Sequence, residues 1–514
     1  MWVVSVALLL ATALAQQCPD YSSYSQQRHE PFSHGAFNLS YQRPAPSCRT
    51  FNSSAVEDVI GRMQSVIIDP DLFRLFENAY PNTLDTAIKW KGFAANNSEE
   101  DLCFIITGDI NAMWIRDSAN QLQSYRSILN SSSDDIASLY RGVINLQARY
   151  LNTSPYCNSF LAPPESPIPP DINGAIYNVR PPYDNRIVFT CNFELDSFAA
   201  FLQISHDYHT ATNDTAFFGK FQWIPAVQTI LTVARDMMSP TYAPDGSALD
   251  SSYTFQSNTN TATGTLNNFG LGNPVNRTGL IRSPFRPSDD ASLFQFLIPS
   301  NMMFARYLSA GASIMSALPS APPGLAQEMV DMAASLRDAV DRYAIVPSPR
   351  GSGGQIYAFE IDGYGGRNLM DDANIPSLLS LPFFGYLDRA DPIYRNTRDF
   401  VLSEANPWFS RGPVISAVGS PHIRPGTAWP MSSIVRILTT DDEAEIVAQL
   451  REILGSTDGL GLVHESVNSS DEGQWTRQWF SWANGLFGQM ILELEASKPE
   501  ILARSFQPRF IRTP

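Results

Sequence analysis

The chain has 514 residues, of which 44% are hydrophobic and 17% are charged, so it can form a large core and is not a disordered protein. At about 100 to 200 residues per domain, this length alone allows several domains. The formal net charge of −16 offers no evident means of neutralising phosphates, which argues against nucleic acids and anionic membranes as partners.

The N-terminal apolar run predicts a cleaved signal peptide. It extends from Trp2 to Ala15 and is too short to cross a bilayer. It ends in Ala13-Leu14-Ala15, the small-x-small pattern of a signal peptidase site, although no Lys or Arg precedes it. No later apolar run reaches the roughly 18 to 20 residues of a membrane span. We therefore expect removal of residues 1–15 and secretion of a mature chain without a membrane anchor.

Asn-x-Ser/Thr sequons support an exported protein, because this tripeptide is the acceptor for N-glycosylation. Each sequon alone is a weak signal, since the tripeptide also occurs by chance. The sequence contains eight of them, at Asn38, Asn52, Asn96, Asn130, Asn152, Asn213, Asn276 and Asn468.

The five cysteines lie in the first two fifths of the chain, and their odd number leaves at least one unpaired in a monomer. Cys103 lies in the apolar stretch Leu102 to Ile106 and is expected to be a free, buried thiol. The other four permit three connectivities. We expect the pairs that close short loops, Cys18 with Cys48 and Cys157 with Cys191.

Helical periodicity dominates the chain beyond the N-terminal segment 16–55. From Ile136 to Leu151 the apolar residues follow i, i+3, i+4, i+7 spacing, with Ser133 as the expected N-cap. About a dozen helices are predicted. The further helical stretches begin near Val56, Ser118, Asn192, Phe217, Ser292, Leu325, Asp371, Ile393, Thr427, Asp442 and Gln474.

Strand-like segments are few and short, as at Phe104–Thr107 and Gln355–Ile361. A parallel α/β fold needs many strands that alternate with helices, and they are missing. We therefore predict one all-α domain over residues 56–514, a helical toroid with a few short strands in its loops. The Ser- and Asn-rich stretch from Ser239 to Gly279 is interpreted as a long surface excursion. Its possible anchors are Tyr242, Tyr253, Phe255 and Phe269.

No cofactor or metal is expected from the sequence. The six histidines are scattered and there is no Cys-x-x-Cys pair, so no zinc-like ligand set is visible. No phosphate-binding glycine loop and no G-x-S-x-G elbow occurs in the required context. Nucleotide-dependent and serine-esterase chemistry are therefore not supported.

Five loop segments combine carboxylates with Trp, Arg, His and Asn, a mixture suited to a sugar. Carboxylates and amides bind paired hydroxyls, an aromatic ring covers the apolar face, and two carboxyls can act as acid and base. The segments are Thr107–Ser118, Phe285–Asp290, Met370–Asn374, Gly419–Gly426 and Val463–Ser466.

Each motif also has a purely structural interpretation. Asp289 and Asp290 could cap a helix, and Arg116 with Asp117 could form a structural ion pair. Glu465 alone could be a solvated charge. The residues Trp475, Trp479 and Trp482 are individually more typical of a core. The occurrence of five such loops in one chain favours a sugar site.

Between about Val56 and Glu495 the chain contains five long ordered motifs: TGDINAMWIRDSANQL, FRPSDDASLFQFLIPSNMMF, MDDANIPSLL, HIRPGTAWPMSSIVRILT and HES…TRQWFSWANGLFGQMI. These motifs resemble glycoside hydrolase family 125, whose members are inverting exo-α-1,6-mannosidases on an (α/α)6 barrel. The resemblance implies one catalytic domain that removes single mannose units from the non-reducing ends of mannose-containing glycans, with no essential metal. We expect the protein to be monomeric. The segment before Val56 and the excursion Ser239 to Gly279 are not matched.

By this resemblance the general acid is one of Asp289 and Asp290, with Asp290 preferred, and the general base is Glu465. An inverting enzyme keeps its two carboxyls about 6.5 to 9.5 Å apart to admit a water. A carboxylate next to the acid favours the protonated form, and the tandem pair provides one. Asp196 is a competing carboxylate that could bind sugar. The mannose subsite is expected to involve Trp114, Arg116 and Asp117, with Asp109, Asp372, Asn374, His422 and Arg477 as further candidates.

Two other functional classes remain open from the sequence. A secreted, non-catalytic glycan-binding protein could retain the toroid, although Glu465 and the tandem Asp pair disfavour loss of turnover. A glucoamylase-like hydrolase could use the same architecture with another sugar. A polysaccharide lyase is disfavoured, because Arg/Lys-rich motifs that would neutralise a uronate are not evident.

Overall fold

Helices form most of the regular structure in the computed structural model, which describes residues 18–349 and 354–507. Within those residues twelve helices have nine or more residues, which is the number predicted. Eleven of them match predicted stretches, whereas the helix Pro70–Ala79 was not predicted and the helix predicted near Asp371 does not form. The predicted signal peptide, residues 1–15, lies outside the described residues. The helices are α1 Ser54–Val66, α2 Pro70–Ala79, α3 Ile115–Gln123, α4 Asp135–Thr153, α5 Leu195–Thr212, α6 Trp223–Met237, α7 Ile298–Ser316, α8 Leu325–Tyr343, α9 Pro392–Val401, α10 Pro430–Leu438, α11 Glu443–Gly455 and α12 Ser481–Ser497.

Five predicted helix starts are wrong. The helices predicted near Phe217 and Ser292 begin only at Trp223 and Ile298, and the other three predictions fail for identifiable local reasons. The N-cap of α4 is Asp134, whose carboxylate accepts from Ala137 N–H, while the Ser133 hydroxyl pairs with that of Ser131. The segment after Asp371 forms turns, because the Asp371 carboxylate accepts the backbone N–H groups of Leu378 and Leu379. The residues near Gln474 form a strand, and the helix begins only at Ser481.

Strands are short but more numerous than the sequence pattern indicated, so the fold is mostly helical with several small sheets. Seven antiparallel sheets of two or three strands occur in the described ranges, and in chain order the strands lie in the loops between helices. The strands are β1 Ile88–Ala94, β2 Asn97–Ile105, β3 Met113–Trp114, β4 Ser159–Phe160, β5 Tyr177–Arg180, β6 Val188–Thr190, β7 Thr254–Ser257, β8 Phe296–Leu297, β9 Ile345–Pro347, β10 Gln355–Tyr357, β11 Glu360–Ile361, β12 Arg367–Asn368, β13 Phe409–Ser410, β14 Ala417–Val418, β15 Thr427–Ala428, β16 Ser466–Asn468 and β17 Asp471–Thr476.

Five helices pack on one another in succession and set the position of the loops before them. Helix α12 packs on both α10 and α3, α3 packs on α5, and α5 packs on α7. Helix α8 lies against α7, α11 against α10, and α2 against α12. The buried faces merge into one large apolar core that includes Trp223, Trp429 and Trp482. Within the described parts of the chain, no helix is long and apolar enough to span a membrane.

The cysteine pairing is confirmed. Cys18 is bonded to Cys48 and Cys157 to Cys191, and Cys103 is free and buried. The second disulfide joins the chain just before Asn158 to the chain just before Asn192. It therefore ties together two segments that contribute to the acidic site described below.

The excursion from Ser239 to Gly279 packs against the domain through two of its four predicted anchors. Tyr253 and Phe255 are buried, whereas Tyr242 and Phe269 are exposed, so the prediction was wrong for the latter two. Strand β7 of the excursion pairs with β5. The Thr263 carbonyl accepts the backbone N–H of Ala291 at 2.7 Å. The excursion thus supports the loop that carries Asp289 and Asp290.

Candidate active site

A small pocket lies where the helices α3, α10 and α12 begin, and a fourth helix, α5, begins behind it. The residue that precedes each helix is Trp114 before α3, Glu194 before α5, Trp429 before α10 and Phe480 before α12. The positive ends of these helices favour carboxylates nearby. The pocket encloses about 60 Å³ and is lined by Thr107, Trp114, Arg116, Asp117, Pro287, Ser288, Asp289, Asn374, His422, Trp429, Glu465, Arg477 and Phe480.

The two tandem aspartates have different surroundings. Asp289 lines the pocket and keeps 31% of its side chain exposed. Its Oδ1 accepts from Trp114 Nε1 at 3.0 Å and from Asn158 Nδ2 at 2.7 Å. Asp290 is not among the lining residues, and its side chain is only 6% exposed. Asp289 is therefore the member of the pair that presents a carboxyl oxygen to the pocket.

Two pocket residues have backbone angles that side chains rarely adopt. Asp289 has φ of 63° and Arg477 has φ of 42°. Residues held in this left-handed region cost on the order of 1–3 kcal/mol each, and such strain clusters at functional sites. At Asp289 the conformation is stabilised by a tight turn in which Arg286 N–H donates to the Asp290 carbonyl at 2.8 Å.

Asp290 forms an ion pair with His422 at the pocket wall. His422 Nδ1 lies 3.5 Å from Asp290 Oδ2. Burial acts to lower the pKa of His422, but the carboxylate of Asp290, with Glu465 and Asp289 nearby, outweighs burial and raises the pKa to about 9. His422 is therefore a cation at neutral pH.

We expect His422→Gln to change how stability depends on pH. A histidine with a pKa near 6.5 when unfolded and about 9 when folded stabilises the protein fully below pH 6.5 and loses that contribution as pH rises through 9. The difference in melting temperature between wild type and variant should be largest near pH 6 and should decrease as the pH rises toward 9. Thermal unfolding at several pH values checks this, with the exposed His34→Gln as control. A difference in melting temperature that increases with pH would contradict a stabilising His422–Asp290 ion pair.

Glu465 lines the same pocket from a different loop. Its Oε2 accepts from Thr476 Oγ1 at 2.8 Å, and its Oε1 lies 3.7 Å from Arg477 NH1. Arg477 Nε lies 3.6 Å from Asp109 Oδ1, so Asp109 acts through Arg477 and is itself outside the pocket lining. The side chain of Glu465 is only 5% exposed, which fixes its orientation.

Arg116 is the centre of a buried cluster of acidic groups. Its NH1 donates to Glu194 Oε2 and, at 3.1 Å, to Asp196 Oδ2. Its NH2 lies 3.3 Å from Asp117 Oδ2 and 3.9 Å from Asp289 Oδ2. Burial raises the pKa of Asp117 to about 6 against the opposing effect of Arg116. Burial, and then the charge of Asp289, raises the pKa of Glu194 well above its usual range.

Asp372 lies behind the pocket and orders its rim. Its Oδ2 accepts the hydroxyls of Ser288 and Ser420, each at 3.0 Å, and its Oδ1 accepts Asn374 N–H at 3.2 Å. Burial raises its pKa to about 6. Asn374 itself lines the pocket.

The structure brings most of the sequence-predicted site residues together. Eight line the pocket directly, and the other three contact lining residues: Asp290 through His422, Asp109 through Arg477, and Asp372 through Ser288. Asp196 is fully buried against Arg116 and does not line the pocket, so the structure gives no support to its sugar-binding role. The directly lining residues are Trp114, Arg116, Asp117, Asp289, Asn374, His422, Glu465 and Arg477.

Several residues at the site were not identified from the sequence. Trp429 and Phe480 both belong to the quoted motifs, and their positions just before helices could have indicated them. Asn158 follows the disulfide residue Cys157 and has no motif around it. Glu194 precedes Asp196 in an acidic segment, but nothing local shows that it faces Arg116 and Asn158.

The chain is similar to α-mannosidases along most of its length. Residues 69–492 match the family described as metal-independent alpha-mannosidase (GH125). A Schizosaccharomyces pombe protein, the meiotically up-regulated gene 157 protein, is 45% identical over 491 residues, which is 95% of this chain and 94% of that protein.

A solved structure has a closely similar fold. It is a metal-independent α-mannosidase from Streptococcus pneumoniae in a non-productive complex with α-1,6-mannobiose. The two chains are 29% identical, and the match covers 87% of this chain and 100% of that one with a TM-score of 0.77.

Proposed function

The chain belongs to glycoside hydrolase family 125, the metal-independent α-mannosidases, and on that basis we propose that it removes α-1,6-linked mannose from the non-reducing ends of glycans with inversion. The observation that carries this proposal is that Asp289 and Glu465, from loops far apart in sequence, line one small pocket. The complex of the Streptococcus pneumoniae relative with α-1,6-mannobiose supports the linkage.

The size of the pocket supports exo-cleavage. Its volume of about 60 Å³ corresponds to roughly four to six waters at 10–15 Å³ each. A single sugar ring with its hydroxyls replaces about that much water, whereas an endo-acting enzyme needs a cleft that accepts sugars on both sides of the bond. We propose that this pocket takes the terminal mannose alone.

The proposed general acid is Asp289, in place of the sequence-based preference for Asp290. Asp289 Oδ1 is occupied by two donors, Trp114 and Asn158, which leaves Oδ2 to carry a proton toward the glycosidic oxygen. Asp290 is buried behind the pocket beside His422. Its proposed task is to hold His422 as a cation at the sugar.

Glu465 is the proposed general base. Thr476 orients one carboxylate oxygen, and the other faces Arg477, so Glu465 can accept a proton from a water that attacks the anomeric carbon. The proposed inversion requires the carboxyls of Asp289 and Glu465 to stand about 6.5–9.5 Å apart, so that the water fits between Glu465 and the anomeric carbon. Protonation of the leaving oxygen and activation of the water then complete hydrolysis.

Sugar recognition is assigned to the remaining polar lining. Arg116, Asn374, His422 and Arg477 present donors to hydroxyls, and Asp117 presents an acceptor. Trp114 and Trp429 supply apolar surface that can cover a ring face. This mixed lining is the physical basis for binding one pyranose.

We further propose that the helices form an (α/α)6 barrel, that the protein acts as a monomer and that it is secreted. The succession of packed helices α10, α12, α3, α5 and α7 supports the barrel. One chain supplies every lining residue of the pocket, so a monomer suffices. None of the eight sequon asparagines is buried, and two disulfides are present, as expected of an exported protein. Mass spectrometry of the mature N-terminus tests removal of residues 1–15.

Incubation with α-1,6-mannobiose tests the proposed activity. The expected product is free mannose, and NMR before mutarotation should show β-mannose as the first anomer released, because inversion reverses the α-configuration. The assay is run with and without EDTA, which should leave the rate unchanged. Initial α-mannose would overturn the water-activating role of Glu465. Cleavage of an α-glucan instead would favour the glucoamylase-like alternative, and no cleavage of either would favour a glycan-binding protein.

A further inference from the structure

We propose that Glu194 is a positioning residue that shares one proton with Asp289 and thereby keeps the general acid protonated at working pH. This inference deepens the proposed function and rests on it. Glu194 does not line the pocket, and its side chain is fully buried. It therefore acts on the reaction only through the groups that it contacts.

Asn158 connects Glu194 to Asp289. Its Nδ2 donates to Glu194 Oε1 at 2.9 Å and to Asp289 Oδ1 at 2.7 Å. Its Oδ1 accepts from Thr190 Oγ1 at 2.8 Å and from Asn192 N–H at 3.1 Å. Because the carbonyl side meets two donors, the NH₂ side must face the two carboxyls, so the orientation of the amide is determined.

The two carboxyls are also close to each other. Glu194 Oε1 and Asp289 Oδ1 accept from the same amide nitrogen of Asn158, and both carboxyls face Arg116. Like charges at this distance oppose the ionisation of both, as in carboxyl pairs that share a proton. Burial and the charge of Asp289 both act to raise the pKa of Glu194.

Other charges around Glu194 do not neutralise the pair. Arg116 contacts Glu194 but also faces Asp117, Asp196 and Asp289, so one guanidinium serves four carboxyls. Arg477 and His422 also act on Asp289, but each lies closer to other carboxyls. Arg477 contacts Glu465 and Asp109, and His422 contacts Asp290. The phenol of Tyr253, from the excursion, lies near Glu194 and is neutral, because burial raises its pKa. A protonated carboxyl in this cluster is the state that reduces the excess negative charge.

The two members of the pair differ in their access to substrate. Both Glu194 oxygens accept hydrogen bonds, from Asn158 and from Arg116. Asp289 has both donors on Oδ1, and its Oδ2 is 3.9 Å from Arg116. The shared proton can therefore reside on Asp289 when a glycosidic oxygen approaches, with Glu194 as the neighbouring anion that discourages its loss.

The pH profile of kcat/KM on α-1,6-mannobiose tests this role. Glu194→Gln leaves only one ionisable carboxyl where the pair stood, so the proton that the pair holds should be lost at lower pH. The basic limb of the profile should then move down by roughly one to two pH units. At the acidic end the variant should regain most of the wild-type rate, and activated aryl mannosides should be little affected. The matched control is Asp196→Asn, which removes a buried carboxylate from the same Arg116 without the link through Asn158. It should move the limb much less.

An infrared measurement tests the shared proton without substrate. The wild-type spectrum minus that of Asp289→Asn at pH 7 should contain the C=O band of one protonated carboxyl. Absence of that band would overturn the proposal. The proposal would also be overturned if the basic limb of the kcat/KM profile stays in place in Glu194→Gln, or if it moves equally in Glu194→Gln and Asp196→Asn. If Glu194→Gln does not fold, the infrared result decides alone. A wild-type protein that shows the band but cleaves no mannoside would overturn the hydrolase function and leave the proton pair intact.

Discussion

Asp289→Asn should slow hydrolysis of α-1,6-mannobiose by about 10² to 10⁴-fold, the usual contribution of general acid catalysis. An activated aryl α-mannoside should lose much less, because a good leaving group departs with little protonation. The substitution keeps an oxygen that can accept from Trp114 and Asn158, so the loop and its left-handed turn should be preserved. Steady-state rates on both substrates give the leaving-group dependence.

The matched control for this prediction is Asp290→Asn. It alters the adjacent carboxyl, which is buried against His422, and we expect a loss of similar size on both substrates because the effect acts through sugar binding. If Asp290→Asn shows the leaving-group dependence and Asp289→Asn does not, the acid is Asp290 and the burial argument is wrong. Circular dichroism of both variants separates a loss of chemistry from a loss of fold.

Glu465→Gln should slow both substrate types together by about 10² to 10⁴-fold. Water attack needs a base whatever the leaving group is, and a neutral amide cannot accept the proton. The Gln carbonyl can still accept from Thr476, so the side chain should stay in place and binding of mannose should be retained. Rates on mannobiose and on the aryl mannoside, with mannose affinity measured by calorimetry, check this.

Glu472→Gln is the control for the base. Glu472 is exposed on the neighbouring strand β17 and does not line the pocket, so its variant should keep the wild-type rate. A Glu465→Gln protein that loses only the unactivated substrate would behave as an acid variant and would reverse the two assigned roles.

Local patterns were sufficient for much of the fold. Apolar spacing predicted eleven of the twelve helices, because a helix buries a face with a fixed period. The cysteine pairs followed from short loop closure. Exact helix starts were less accurate, since Asp134 competes with Ser133 for the cap and the Asp371 side chain binds backbone N–H groups that would otherwise begin a helix.

The local sequence was enough to single out the loops that meet at the pocket, because carboxylates stand close to Trp, Arg or His at Trp114 to Asp117, at Asp289 and Asp290, and at Glu465. Only the tertiary structure decided which carboxyl of the tandem pair faces the pocket, since that depends on a left-handed turn at Asp289. It also decided that Asn158 and Glu194 belong to the site. Their partners lie up to 131 residues away in sequence, and only helix packing and the disulfide between Cys157 and Cys191 bring them together.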